Sequence, residues 1–443
     1  MTDLKAGAGR SVITPTIGGW AHRDVHDDLY AKALVLESGG VSIAIVLCDL
    51  GSVTKADTGP AKELAEAITG IPPEHILIAA THTHYTPWGG DRSEHGRAYF
   101  QWFAGRVADA VKLAQNQLQP AKLAHGAGAV PGEVFNRRYW MKDGSVVFNP
   151  LDCRYRTEAG AYRDVWRRED VVQPAGPTDP EVGVFVVMDD RERPLAVLAN
   201  YALHYVDTPD YDCISANYFG QFERALQRMA GCDFVGMLTN GTCGDVNNVD
   251  YLGEPKPEQP YPRWNMERVS DVVAAEAYRV WRSLRRSSYQ TAGPLAVAND
   301  WFVLRHREVT PEQGEWAEHL LAQPEPDSFG DQQWLDRVHA RAIRRVVEYG
   351  PQRRTQIQAF RIGDLALVGL PSEVFVEVGL EIKRRSPFGC TLVVELANDS
   401  FGYVPTDRAF SEGSYETLNS LVAVGTAPAM VESAVGLLVQ LAK

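Results

Sequence analysis

A chain of 443 residues that is 45% hydrophobic and 23% charged has enough apolar content to build one large domain or two to three smaller ones. Its formal net charge of −13 argues against a nucleic-acid binder and against attachment to anionic membranes, since both need basic surface. No apolar run reaches the roughly 18 residues that read as a membrane span, and the residues after Met1 lack the apolar core of a signal peptide. The six cysteines (Cys48, Cys153, Cys213, Cys232, Cys243, Cys390) show no CxxC spacing and read as free, mostly buried thiols. A soluble, cytoplasmic protein is expected.

Ala6 to Ile13 reads as a strand that stops at Thr14-Pro15. Leu29–Leu36 and Val41–Leu47 flank Ser38-Gly39-Gly40, a hairpin signature, and the second run stops at Cys48-Asp49. Pro60–Thr69 has helical periodicity and ends at Gly70. Ile76–Ala80 is a short buried strand that runs into Thr81-His82-Thr83-His84. If the extended geometry persists, the two imidazoles project to one side, and neutral imidazole is the commonest protein ligand for transition metals. Arg97–Leu118 reads as an amphipathic helix and Leu123–Val130 as a glycine-rich strand. Residues 136–180 are irregular and rich in Arg, Asp, Tyr and Trp, and a segment of that length is usually functional or disordered; its aromatic content favours function.

Val182–Met188 and Leu195–Ala202 form a further strand pair, and the second runs almost straight into His204. A helix follows over Tyr218–Met229, and then a strand, Phe234–Leu238, opens onto the loop Thr239–Asn248. Beyond a Pro-rich loop (Gly253–Pro262) come a helix over Met266–Leu284 and a strand over Leu295–Leu304. Pro311–Tyr349 is helical and Arg-rich, the best candidate for a helical insertion. Gln356–Ile362 and Leu365–Leu370 form a hairpin over Gly363-Asp364, and Pro371 is expected to open a helix to Lys383. Leu392–Leu396 is a last strand and Ala429–Ala442 a closing helix. Strands alternate with helices and hairpins are frequent, so the expected class is α/β (mixed α+β), with mixed sheets and flanking helices. No composition break divides residues 1–443, and a single domain is expected.

Ligand-capable residues recur at strand ends: His82 and His84, His204, Asn240 and Asp245, Glu373, and Tyr403. Strand ends are where α/β proteins usually build their sites. Each residue alone has an ordinary structural explanation. Glu373 suits the first turn of a helix, Tyr403 a packed turn, His204 a satisfied core position, and Cys243 a small packing position.

The chain as a whole resembles the catalytic domain of the neutral/alkaline non-lysosomal ceramidases. The resemblance runs from Gly7-Ala-Gly-Arg-Ser-Val-Ile-Thr-Pro15 to Tyr415-Glu416. It is carried by Asp28-Leu-Tyr-Ala-Lys-Ala-Leu-Val35, Ala80-Thr-His-Thr-His84, Phe135-Asn-Arg-Arg138, Asn200-Tyr-Ala-Leu-His204, Ile214-Ser-Ala-Asn-Tyr218, Gly244-Asp-Val246, Leu370-Pro-Ser-Glu373 and Gly402-Tyr-Val-Pro-Thr406. The resemblance implies a zinc site with His82, His204, Glu373 and Tyr403 as ligands, a donor set that suits zinc. It implies His84 as the acid/base, with Arg137 and Tyr415 holding and polarising the scissile carbonyl.

The chain departs from the family pattern in the block Gly244-Asp-Val-Asn-Asn248, where Asn247 stands in the position of a serine and cannot serve as a hydroxyl nucleophile. Asn247 and Asp245 are therefore expected to orient substrate or ligands. Tyr85-Thr86-Pro87 replaces a usual Ser-Gly-Pro, and no counterpart of an immunoglobulin-like domain or secretory signal is seen. The expected activity is metal-activated-water hydrolysis of an amide in a small polar substrate rather than ceramide, with no nucleic-acid partner and no membrane span. A zinc esterase or lactonase and a non-catalytic, metal-stabilised binding protein are the alternatives.

Overall fold

The computed structural model describes residues 4–16, 23–157, 160–206, 213–254 and 259–443. Parts of the expected Pro-rich loop (255–258) and of the irregular segment (158–159) lie outside the described residues. One sheet has eight strands: β1 (Lys5–Val12), β2 (Tyr30–Ser38), β3 (Val41–Cys48), β4 (Ile76–Ala80), β5 (Gln119–Ala129), β6 (Glu181–Asp189), β7 (Pro194–Tyr201) and β8 (Val235–Asn240), in the order β8-β7-β6-β5-β1-β2-β3-β4. A second sheet has four: β9 (Leu295–Arg305), β10 (Gln352–Ile362), β11 (Leu365–Gly369) and β12 (Cys390–Val394), in sequence order.

The two sheets pack face to face. Ile45, Leu77, Phe185 and Leu198 of the large sheet share one buried cluster with Phe360, Leu367 and Leu392 of the small one. Helices cover the outer faces. On the large sheet, α1 (Lys55–Thr69) and α2 (Glu94–Asn116) bury Ala61, Ala65, Phe103 and Val107 against Val46 and Ile78. Helices α3 (Asn217–Ala230) and α4 (Trp264–Ser283) bury Phe222, Leu226 and Val273 against Val184 and Val197. The outer face of the small sheet is covered by α7 (Val376–Arg385) and α8 (Thr426–Ala442). Strands in the middle of four layers need apolar side chains on both faces, which is why β3 and β4 read as continuous apolar runs. Along β4, Ile76, Ile78 and Ala80 face the helices while Leu77 and Ala79 face the second sheet.

Within these two sheets three strand pairs are parallel: β3–β4, β7–β8 and β11–β12, bridged by α1, α3 and α7. The carboxyl ends of these strands converge. They deliver Gly51, His82 and His84, His204, the 241–248 loop, Glu373 and the chain leading to Tyr403. The sheets also join there, since Asn398 N donates to Ile78 O at 2.7 Å and Ala80 N to Leu396 O at 3.1 Å.

Several expectations need correction. Helix α1 begins at Lys55 rather than Pro60, because Asp57 Oδ2 accepts from both Thr54 N (2.8 Å) and Thr54 Oγ1 (2.7 Å), which caps the helix earlier. Pro371 opens no helix. Ser372 takes a left-handed φ of 73°, Glu373–Val374 forms a short strand, and α7 starts at Val376. The 311–349 block is two helices, α5 (Pro311–Leu321) and α6 (Gln332–Tyr349), packed through Ala317, Ala340 and Ile343. The 136–180 segment contains short strands, among them Arg154–Arg156, which pairs with Tyr162–Asp164 on one side and Ser328–Phe329 on the other. The segment and the helical block therefore meet in one small sheet. Among the described residues no helix is long and apolar enough to cross a membrane.

Candidate metal centre and cleft

The extended geometry expected through the His-x-His does not persist. His82 has a φ of 70°, a left-handed conformation that is strained for a residue with a side chain. The turn still brings the two rings together, with centroids 5.0 Å apart. His82 N donates to Leu50 O, and its ring Nδ1 lies 2.6 Å from Gly51 O. That carbonyl can only accept, so Nδ1 carries the proton and the Nε2 lone pair faces outward.

What Nε2 faces is Glu373. The two atoms His82 Nε2 and Glu373 Oε2 are 3.4 Å apart, and His204 Nδ1 is 3.9 Å from the same oxygen. Both His82 Nε2 and Glu373 Oε2 are shielded from solvent and lack a hydrogen-bond partner. Buried polar atoms are normally satisfied, so two orphans facing each other are an argument for an absent third party. Burial alone would lower the pKa of His82, but the Glu373 carboxylate outweighs it and raises it above the usual imidazole range. Burial opposes ionisation of Glu373, yet His82, Tyr403 and Arg137 hold its carboxyl below its usual range. A place that draws a proton towards His82 Nε2 draws a metal cation for the same reason.

Glu373 and Tyr403 are register partners in a two-stranded parallel ribbon, Glu373–Val374 with Tyr403–Val404. This pairing sets the carboxylate beside the phenol. Gly244 lets the Thr239–Asn248 loop approach the ribbon, since a Cβ there would sit 2.8 Å from Glu373 O. His204 lies between Arg137 and His84: its Nδ1 is 3.2 Å from Arg137 Nη1 and its Nε2 is 3.0 Å from His84 Nε2. Arg137 can only donate, so His204 Nδ1 accepts and the Nε2 proton faces His84. Burial, and then the neighbouring cations, hold His204 far below the usual range; burial, then His82, pushes His84 down to about 3. The ligand atoms of His82, His84 and His204 all lie within 4.8 Å of one another. Two buried imidazoles, a buried carboxylate and an adjacent phenol fit a divalent metal, and His84, half-buried, stands on the cleft side.

Arg137 is anchored on three sides. Its Nε donates to Glu416 Oε1 at 2.7 Å, its Nη2 to Gly244 O at 2.9 Å, and its Nη1 to His204. Tyr403 and Tyr415 stand over it, with ring centroids 5.3 and 5.9 Å from the guanidinium carbon. Burial raises the Tyr403 and Tyr415 phenols above their usual range. Asn247, by contrast, is fully buried away from the cleft. Its Nδ2 donates to Asn149 Oδ1 and its Oδ1 accepts from Val249 N. Asp245 likewise braces the floor, accepting from Val376 N at 2.8 Å and Asn136 Nδ2 at 2.9 Å.

Sequence reasoning missed three groups. Glu416 anchors Arg137 and Arg138; its only signal was its place at the end of the resembling blocks. Glu395 is fully buried and accepts from Cys243 N, Cys243 Sγ and Val374 N, so Cys243 braces the floor rather than lining the site. The third is an aromatic group, Phe148, Phe329 and Trp334, which joins the expected Tyr415 in one wall of a cleft of about 1610 Å³ above the histidines. The aromatic content of 136–180 was the only hint of it. Trp88 stands at the rim, its ring 5.3 Å from that of His82.

No protein-family model matches the chain, and no curated protein matches it in sequence. Solved structures match in fold. The neutral ceramidase from Pseudomonas aeruginosa superposes with a TM-score of 0.72 at 19% identity, covering 100% of this chain and 75% of that one. A structure described as ceramidase complexed with C2 gives 0.72 at 18% identity, covering 100% of this chain and 76% of its own. The chain thus has a mixed α/β, ceramidase-like fold.

Proposed function

We propose that this chain is a metal-dependent hydrolase that cleaves an acyl C–N bond in a small, polar substrate, with zinc held by His82, His204, Glu373 and Tyr403. The observation that carries the reading is the pair of buried, partnerless atoms His82 Nε2 and Glu373 Oε2, 3.4 Å apart at the floor of an open cleft, with His204 beside them. The donors, two nitrogens and two oxygens, suit zinc. When bound, such a metal supplies Lewis acidity and makes water a nucleophile near neutral pH.

The chain's own residues do the rest. His84 is on the cleft side of the buried imidazoles, where it takes a proton from the attacking water and returns it to the leaving nitrogen. Arg137, held by Glu416 and Gly244 O, keeps a fixed positive charge beside the two phenols. Tyr415 completes the place where negative charge develops on the carbonyl oxygen. Donors of this type are worth about 3 to 4 kcal/mol each in related chemistry. With Asn247 committed to Asn149 and Val249, no hydroxyl nucleophile is called on at that position. Six cysteines, none in a disulfide among the described residues and four of them buried, fit a reducing compartment and a cytoplasmic enzyme.

The test is elemental analysis of the purified, untagged protein, followed by a panel of amides and esters. About one zinc per chain with amide turnover is the expected result. Ester turnover alone changes the bond but keeps the centre. No metal uptake, even after incubation with zinc, overturns the reading and leaves a binding protein.

A further inference from the structure

Several arginines line the cleft, and most of their charge is accounted for. Arg353 is held by both oxygens of Asp399, at 2.8 and 2.9 Å. Arg92 pairs with Glu348, and Arg137 with Glu416. Arg97, Arg154 and Arg354 are exposed and keep their hydration. Arg345 differs. It is part-buried, it has no acidic partner among the described residues, and its Nε is shielded from solvent without a hydrogen-bond partner. Its Nη2 donates to Asn419, reaching Oδ1 at 2.5 Å and the carbonyl oxygen at 3.4 Å. Burial lowers its pKa below the usual guanidinium value. A guanidinium withdrawn from water without a carboxylate is costly to keep, and its planar fork matches a carboxylate.

The position of Arg345 gives this charge a use. Trp334 and Arg345 are both on α6 and 11 residues apart, about three helical turns, so they share a face. Trp334 stacks on Phe148, with centroids 5.8 Å apart and planes 16° from parallel, and Phe148 stacks on Tyr415 at 4.6 Å. Asn419 Nδ2 in turn donates to the Tyr415 hydroxyl at 3.2 Å. One continuous wall therefore runs from a cation without a carboxylate partner among the described residues, through flat aromatic rings, to the phenol beside the proposed metal.

We infer that the substrate class is the N-acyl amino acids, with Arg345 binding the α-carboxylate and the Phe148–Trp334 wall packing an apolar or aromatic side chain. The inference rests on the hydrolase reading only for turnover. In the reaction, water adds its oxygen to the acyl carbon, the C–N bond breaks, and the proton from water goes to the nitrogen. An N-acyl amino acid thus gives a carboxylic acid and a free amino acid.

The experiment compares N-acetyl-phenylalanine with N-acetyl-2-phenylethylamine, which differs only by lacking the carboxylate. Acetate release is followed with the zinc-loaded protein, and quenching of tryptophan fluorescence with the metal-depleted protein. A charge-assisted contact predicts a preference of roughly ten- to a hundredfold for the carboxylate compound, in kcat/KM and in affinity alike. Arg345→Gln removes that preference, bringing the carboxylate compound down to the level of the neutral one, and Arg345→Lys restores part of it. Equal binding of the two compounds by the native protein overturns the inference, as does a preference that survives in Arg345→Gln. If both are cleaved at equal rates, the substrate class falls and the hydrolase stands. If the binding preference holds but neither is cleaved, the carboxylate site stands and the hydrolase falls.

Discussion

Glu373 and Arg345 are both cleft residues, but the chain supports them differently. Glu373 is on the floor, where a parallel ribbon fixes it beside Tyr403, a glycine admits the neighbouring loop, and Arg137 is anchored by a fully buried Glu416. Arg345 is on a wall assembled from short strands and two helices, with the half-buried rings of Phe329, Trp334 and Tyr415 around a buried Phe148, and with exposed ion pairs. The floor spends strong, buried interactions on holding a few atoms still, as ligation of a metal and acid/base chemistry require. The wall offers shape and one unanswered charge, as recognition requires. The difference suggests that the floor fixes the reaction type and the wall the choice of substrate, and the two are separable by substitution.

The largest separation is expected from His82→Ala. It removes the ring whose Nε2 faces Glu373, and bound zinc is expected to fall from about one per chain to near zero, with all turnover lost. Elemental analysis decides it, and unchanged metal content would remove His82 from the centre. The control is His84→Ala, which should keep the metal and lose turnover. Loss of metal there would move His84 from proton transfer to ligation.

Next in size is the contrast between two carboxylates. Glu416→Gln leaves the buried Arg137 without its anion and Arg138 with Glu412 alone, and breaking a buried pair in this way costs about 3–5 kcal/mol. Asp327→Asn breaks the pair with Arg156 on the wall, where the two side chains are 52% and 51% exposed, and should cost under about 1 kcal/mol. Urea denaturation of both variants measures the gap. Equal losses would mean that the wall is as firmly built as the floor.

How much of this could be read in advance follows the same division. His82, His84 and His204 were legible because each follows an apolar strand directly, and a strand end is a local signal. Glu373 was legible as a residue but not as a conformation. The sequence Leu-Pro-Ser-Glu invites a helix start, and only pairing with Tyr403, thirty positions away, draws it into a ribbon. Asn247 was assigned by its place in a motif, and the structure turns its amide to Asn149 instead. Arg345 was invisible among the arginines of an Arg-rich helix. What distinguishes it is burial without an ion-paired carboxylate among the described residues, and no sequence pattern encodes an absence.

A third prediction tests the join behind the floor. Lys62 on α1 donates to Gln356 Oε1 on β10 at 3.2 Å, and burial brings its pKa down to about 7. The folded pKa lies below the unfolded value of about 10.4. The unfolded chain therefore binds more protons between these values, and stability rises with pH across that window by up to about 1.4 kcal/mol per unit. Lys62→Met removes the contribution. Its stability advantage over the native chain should be greatest at and below pH 7 and should shrink steadily towards pH 10, with metal content unchanged throughout. A pH-independent difference between the two would show that the ammonium is solvated in the folded chain.

The smallest effect is expected from Trp334→Ala, and it is the most selective. The ring packs on Phe148, Phe329 and Tyr415, and such contacts are worth about 0.5–1.5 kcal/mol each beyond area burial. Removing it should raise KM for an aromatic substrate by roughly three- to tenfold, with metal content unchanged and kcat for a small aliphatic amide unaltered. If kcat falls for every substrate alike, Trp334 reaches the reacting atoms through Tyr415, whose ring lies 5.4 Å from it. In that case the wall helps to place the phenol, and substrate choice and chemistry are coupled through a single stacked pair.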